Sequence, residues 1–214
     1  MKVLRRALKR LLDNRLIYFT SRRNVDGIVL TFDDGPDPER TPLILQMLDE
    51  YRAKAVFFPI GMRAEEHPDL VREIRDRGHT LGNHTYSHLD GLKDGRYTNY
   101  QYLQEIRKQQ RLLNELANVQ TRLFRPPRGE LNLSNVPAMV ASGHKIIYWS
   151  IEAGEWGRRK SESGEALAEY VVQRIQPRDV LLLHDDNPKT ITILQRLLPY
   201  ARQRGWDLSP GLLV

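Results

Sequence analysis

From residue 25 onward, short apolar runs alternate with longer stretches in which apolar residues return every three or four positions. The runs at 28–32, 55–60, 80–83, 123–125, 145–151 and 180–184 are apolar or β-branched and are followed by turn residues, so they read as strands. Helical spacing covers 40–52, 67–77, 100–118, 134–142, 164–175 and 189–204. Alternation of this kind builds parallel βαβ units, so the expected class is α/β, as a doubly wound sheet or a (β/α) barrel. No internal repeat or interdomain linker interrupts the pattern, and GLKDGRYTN around 91–99 is the longest polar excursion.

The opening segment is built differently. MKVLRRALKRLLDNRLIYF sets Leu4, Leu8, Leu11 and Leu12 at helical spacing with Arg5, Arg6, Lys9 and Arg10 between them, a basic amphipathic helix. Such a helix either packs its leucines on the domain or lies on anionic lipid. Basic residues break it before it reaches the apolar core of about 7 to 15 residues that a secretory signal needs. The expectation is therefore a cytoplasmic protein without a signal peptide, peripheral at the inner face of the membrane if residues 1–23 touch lipid. Residues 1–24 form the lead-in and 25–214 the domain.

Charge sharpens this division. The chain carries 33 Lys and Arg against 27 Asp and Glu, but eight of the basic residues and a single Asp fall within residues 1–23. The body is slightly acidic and makes a poor nucleic-acid platform, so no nucleic-acid partner is expected. At 214 residues the chain suits one domain, and no apolar run reaches the roughly 18 to 20 residues of a membrane helix. Cysteine is absent, which excludes disulfides, thiolate metal clusters and a cysteine nucleophile. Any metal must be held by His, Asp or Glu.

The polar residues fall where the strands end. Asp33 and Asp34 follow the first strand, His84 and His88 the third, Arg125 the fourth, Glu152 and Glu155 the fifth, and His184 the sixth. In parallel α/β folds the C-terminal strand ends share one face, and active sites are built there. In TFDDGP the adjacent carboxylates repel unless a cation or a proton separates them, so one suits a metal and the other a base; Asp-Gly-Pro alone is also an ordinary turn. HTYSH sets two imidazoles four positions apart, which on a helical turn places both on one side. With Asp34 they offer an open coordination set that keeps a place for water. RPPRG fixes Arg125 and the amides after it in a stiff loop, where a guanidinium holds a carboxylate and an amide meets an oxyanion, or where the prolines simply make a turn. His184 ends a buried strand and has the pKa range of a general acid. Trp149 and Trp156 flank Glu152 and Glu155 and suit a pocket wall, or core packing in the case of Trp149.

In order and spacing, TFDDGP at 31–36, HTYSH at 84–88, RPPRG at 125–129, EAGEW at 152–156 and LLH at 182–184 resemble the five motifs of the polysaccharide deacetylases, the NodB-homology or carbohydrate esterase family 4 enzymes. The resemblance spans residues 25 to about 186. It implies an irregular (β/α) barrel of seven strands and a metal-dependent hydrolase that removes N-acetyl groups from a glycan or an amino-sugar precursor, which the basic segment and the expected cytoplasmic location would make a lipid-linked one. It assigns Asp34, His84 and His88 to a divalent metal, most often zinc, and Asp33 to the general base. Arg125 matches the arginine that positions the base, the Arg128 amide the oxyanion donor, and His184 the general acid. Leu182 matches the leucine of the acetyl pocket, and Glu155 with Trp156 the Asp-Trp pair beside the acid.

Two positions depart from the family pattern. Arg128 stands where the family has Tyr, which keeps the amide but exchanges an aromatic wall for a cation and favours an anionic substrate group. Glu152 and Glu155 stand in a motif built on Asp, and pairing of the longer Glu155 with His184 requires a shifted backbone. Related readings are a deformylase or small-amide hydrolase of the same fold, separable by formate release, and a non-catalytic carbohydrate-binding module, which would lack one of the metal or catalytic groups.

Overall fold

The computed structural model describes residues 17–20, 26–88, 97–130 and 135–209. The amphipathic helix expected at the start of the chain lies outside these residues, apart from its last few positions. Seven parallel strands follow one another around an irregular barrel: β2 (Val29–Asp33), β3 (Ala55–Phe58), β4 (Thr80–Leu81), β5 (Leu123–Phe124), β6 (Lys145–Ile147), β7 (Ile151–Glu152) and β8 (Val180–His184). A two-residue strand from the lead-in, β1 (Ile17–Tyr18), adds to them by pairing with β6. The helices are α1 (Thr41–Glu50), α2 (Gly61–Glu66), α3 (Pro68–Asp76), α4 (Asn99–Ala117), α5 (Val136–Ala141), α6 (Gly164–Arg174) and α7 (Lys189–Gln203).

Five strands run in the order β4-β3-β2-β8-β7 and three in the order β1-β6-β5. Asn83 joins the two groups: its amide donates to the Leu123 carbonyl and its carbonyl accepts from the Arg125 amide, both at 2.9 Å. Among the described residues, the strand pairing between the β7 side and the β1 side of the wall is a bridge from Thr20 to Asp179. The expected strand at 145–151 divides at this point, because Tyr148 to Ser150 carry the chain from one group of strands to the other. Helix α2 was absent from the sequence reading, since six residues are too few to establish a helical period.

Period-two alternation explains how β2 serves both layers. Leu30 and Phe32 pack outward with Ile44, Leu45 and Leu48 of α1 and with Ile193, Leu194 and Leu197 of α7. Val29 faces the interior with Val56, Phe58, Leu123, Ile147 and Val180. Thr31 and then Asp33 follow Val29 on that same inward face, so the apolar plug gives way to polar groups toward the C-terminal end. Local signals agree with the helices: Thr98 and Gln101 form a capping box at the start of α4, Ser163 caps α6, and proline opens α1 and α3.

Candidate metal centre and active site

Arg125 is the deepest polar group of the site, fully buried at the end of β5. Its Nε donates to the Ile147 carbonyl at 3.0 Å and its Nη2 to the Tyr148 carbonyl at 3.2 Å. Nη1 donates to Thr31 Oγ1 and to Asp33 Oδ1, each at 2.7 Å. The Phe58 ring lies 4.4 Å from the guanidinium carbon. Burial lowers its pKa and Asp33 opposes that shift, and a guanidinium in this setting stays charged. The buried Asp33 carboxylate is thereby held by a charge-assisted bond on one oxygen, while its other oxygen turns toward His84, 3.8 Å from Nε2.

Asp34 leaves the strand with φ 73°, which sends its carboxylate away from that of Asp33. Its Oδ1 is 3.3 Å from His84 Nε2 and 3.4 Å from His88 Nε2. The ligand atoms of Asp34, His84 and His88 all lie within 4.8 Å of one another. His84 is oriented from behind: its Nδ1 is 2.8 Å from the Arg125 carbonyl, which only accepts, so the proton sits on Nδ1 and the Nε2 lone pair faces the cluster. The two imidazoles are not brought together by a helical turn. Residues 84–88 are irregular, with Thr85 at φ 67° and His88 at φ 52°, and the Ser87 amide and hydroxyl are held by Glu105 Oε2 at 2.7 and 2.8 Å.

The electrostatics favour a cation. Burial alone would raise the Asp34 pKa, but the neighbouring imidazoles of His84, His88 and His184 hold it below the usual carboxylate range. Burial works to lower the His84 pKa, and the carboxylates of Asp33 and Asp34 overcome it and raise it. Asp34 Oδ1 is buried without a hydrogen-bond donor, an arrangement costly unless a positive charge meets it. That orphan carboxylate oxygen and the two imidazole nitrogens beside it fit a divalent metal ion.

His184 ends β8 in register with Asp33 of β2. Glu155 Oε1 lies 3.1 Å from His184 Nδ1 and accepts the His184 amide at 2.9 Å. Glu155 follows a turn at Gly154, with φ 88°, and its carboxylate is almost wholly buried. Burial lowers the His184 pKa, yet Glu155, with Asp33 and Asp34 behind it, pushes it up to about 9. Asp33, Asp34, His84, His88 and His184 face one cavity of about 380 Å³, walled by Leu182, Trp149, Trp156, Glu152 and the Arg128–Gly129 turn. Arg128 sits at φ 56° in the turn Pro127–Gly129, with its side chain exposed.

Comparison with known proteins decides the family. Residues 20–147 match the polysaccharide deacetylase family. This chain belongs to the polysaccharide deacetylases. A peptidoglycan-N-acetylglucosamine deacetylase of Bacillus cereus is 32% identical over 191 residues, covering 87% of this chain and 67% of the relative. A chitooligosaccharide deacetylase of Sinorhizobium fredii is 31% identical, with 84% and 87% covered. A solved peptidoglycan N-acetylglucosamine deacetylase, in complex with 4-naphthalen-1-yl-N-oxidanyl-benzamide, superposes at TM-score 0.84 with 29% identity, covering 94% of each chain. The Asp34, His84 and His88 cluster is a metal-dependent hydrolase site of the type found in this deacetylase family.

All ten residues that the resemblance assigns, and Trp149 and Glu152 with them, stand at or immediately behind this cavity. Sequence reading missed the groups that support them. Thr31 takes Arg125 Nη1 and donates to the Leu181 carbonyl at 2.7 Å. Arg63 reaches the Asp34 carbonyl at 2.7 Å, and Asp186 pairs with Arg63 and with Trp156. Buried Asp185 accepts from Thr41 Oγ1 at 2.6 Å. The second acidic pair, Asp185 and Asp186 after β8, repeats the pattern of Asp33 and Asp34 after β2 and was readable in the sequence. Arg63 carried no such signal.

Proposed function

We propose that this chain is a zinc-dependent amidase that removes N-acetyl groups from an amino-sugar glycan. The observation that carries the reading is the convergence on one cavity of the Asp34, His84 and His88 cluster, the Arg125-held Asp33 and the Glu155-held His184. Zinc in the cluster supplies Lewis acidity and a water of near-neutral pKa. Asp33, with one oxygen fixed by Arg125, takes the proton from the water oxygen as it bonds to the acyl carbon. The Arg128 amide meets the developing oxyanion, a type of contact whose removal typically costs about 100-fold to 1000-fold in rate. His184, kept protonated by Glu155, delivers its proton to the sugar nitrogen as the C–N bond breaks. Acetate and a free amino sugar leave, and Leu182 packs on the acetyl methyl.

The peptidoglycan and chitooligosaccharide deacetylases among its relatives support a glucosamine-containing substrate. Exposed Arg128 in the cavity wall supports an anionic group on that substrate, and the basic composition of residues 1–23 supports a lipid-linked acceptor at the inner membrane face. No described helix is long and apolar enough to cross a membrane.

The test is acid release, assayed separately for acetate and formate, from N-acetylated oligosaccharides, lipid-linked amino sugars and formamido sugars, with metal-stripped and zinc-restored protein. Zinc-dependent acetate is the expected result. Formate alone would reassign the chain to deformylation, and binding of a glycan without release of either acid would leave a carbohydrate-binding module.

A further inference from the structure

Asp34 presents its carboxylate from a backbone conformation that L-residues avoid, and such a residue persists only where its neighbours over-determine it. Two bonds hold it in place. Its amide donates to the Phe58 carbonyl at 3.3 Å, and its carbonyl accepts from Arg63 Nη1 at 2.7 Å. The second is shorter and charge-assisted, so the guanidinium is the stronger restraint. The same nitrogen donates its other N–H to Asp186 Oδ2 at 2.9 Å. Asp186 Oδ1 in turn accepts the indole N–H of Trp156 at 3.2 Å. Trp156 is 55% exposed and walls the catalytic cavity, whereas Arg63 and Asp186 do not line it.

The geometry points to the Arg63–Asp186 ion pair as a positioning unit that holds the metal ligand Asp34 and the substrate wall Trp156 in one arrangement. It ties helix α2 to three strand-end loops, those after β2, β7 and β8, with two side chains. The Arg63 side chain is 39% exposed, and a pair so open to solvent contributes little to global stability. Its effect is instead directional: it fixes the peptide that aims Asp34 Oδ1 at the two imidazoles, and the plane in which the indole meets a sugar ring. Both are positioning residues that act through the groups they hold. This inference rests on the reading of Asp34 as a metal ligand.

The test measures zinc affinity of the full chain by competition with a chromophoric chelator, together with kcat, KM and melting temperature. Arg63→Met is expected to weaken zinc binding about 10- to 100-fold, the range for partners behind a metal ligand, with a melting temperature close to that of the parent. Arg63→Lys keeps the charge and an N–H donor and should recover part of that loss. Asp186→Ala should weaken zinc binding and raise KM together, and Trp156→Phe should raise KM with zinc affinity unchanged. Zinc affinity at the parent value in Arg63→Met, or an Asp186→Ala variant in which only one of the two quantities moves, would overturn the inference. A parent protein that binds no zinc would instead overturn the ligand reading beneath it. If Arg63→Met fails to fold, Arg63→Lys and Asp186→Ala carry the same comparison.

Discussion

Asp33 and Asp34 are neighbours in the chain, yet their carboxylates meet opposite partners, one a buried guanidinium and the other a pair of imidazoles. The positive φ of Asp34 makes the division, because a continued strand would alternate the two side chains between the barrel interior and the helix layer. Separate partners mean separable losses. Asp33→Asn should lower kcat by at least about 100-fold while zinc stoichiometry stays at one, since the ligand set is untouched. The same change strips buried Arg125 of its counter-charge, so the melting temperature should also fall. His88→Ala should lose both zinc and turnover, and equilibrium dialysis with metal analysis reads the difference. Zinc retained by His88→Ala would refute the ligand assignment.

At the scale of elements, the site exists because β2 and β8 pair in a register that sets Asp33 beside His184, with the β7 loop returning Glu155 to His184. His184 must be protonated to act as an acid, so activity falls as pH rises through its pKa, which Glu155 pushes up to about 9. Glu155→Gln keeps the hydrogen-bond acceptor and removes the charge. The alkaline limb of the kcat/KM profile should then move to lower pH, and an unmoved limb would place the titration elsewhere. The turns after β2 and β8 also touch directly: a Cβ on Gly35 would lie 2.0 Å from Asp185 Oδ2, with Asp185 fully enclosed behind it. Gly35→Ala must therefore push the two loops apart. It should cost about 1 to 3 kcal/mol in denaturant unfolding and lower kcat through the displaced Asp33 and His184.

At the scale of the whole molecule, Asp185 is an electrostatic cost inside the barrel mouth. Burial, with the charges of Asp186 and Asp34, raises the Asp185 pKa to about 7. The folded chain keeps a proton there that the unfolded chain releases near pH 4, so this group's contribution to stability declines as pH rises from about 4 to 7 and levels off above. Asp185→Asn cannot ionise and still accepts from Thr41. In metal-stripped protein it should melt above the parent at pH 8, and the difference should shrink toward pH 5. Scanning calorimetry at the two pH values would show it; a difference independent of pH would mean that Asp185 is ionised throughout.

Much of this was legible without coordinates, for physical reasons that differ between levels. Period-two and helical spacing report which faces are buried, so the strands around 28–32, 55–60 and 180–184 and the long helices followed directly from the pattern. Turn residues mark strand ends, and parallel topology sends those ends to one face, which is why Asp33, Asp34, His84, His88, Arg125, Glu155 and His184 emerged as a set from five distant segments. The spacing of His84 and His88 pointed to the right pair through a helical turn that does not form; left-handed residues at Thr85 and His88 do that work. The division of 145–151 into two strands and the contacts made by Arg63, Thr31, Glu105 and Asp186 depended on tertiary structure alone. These side chains find partners tens of residues away, and nothing in their local spacing encodes that meeting. The chemistry of the site was thus written in residue types at strand ends. The orientation that makes one aspartate a metal ligand and its neighbour a base was decided only when the barrel closed around Arg125.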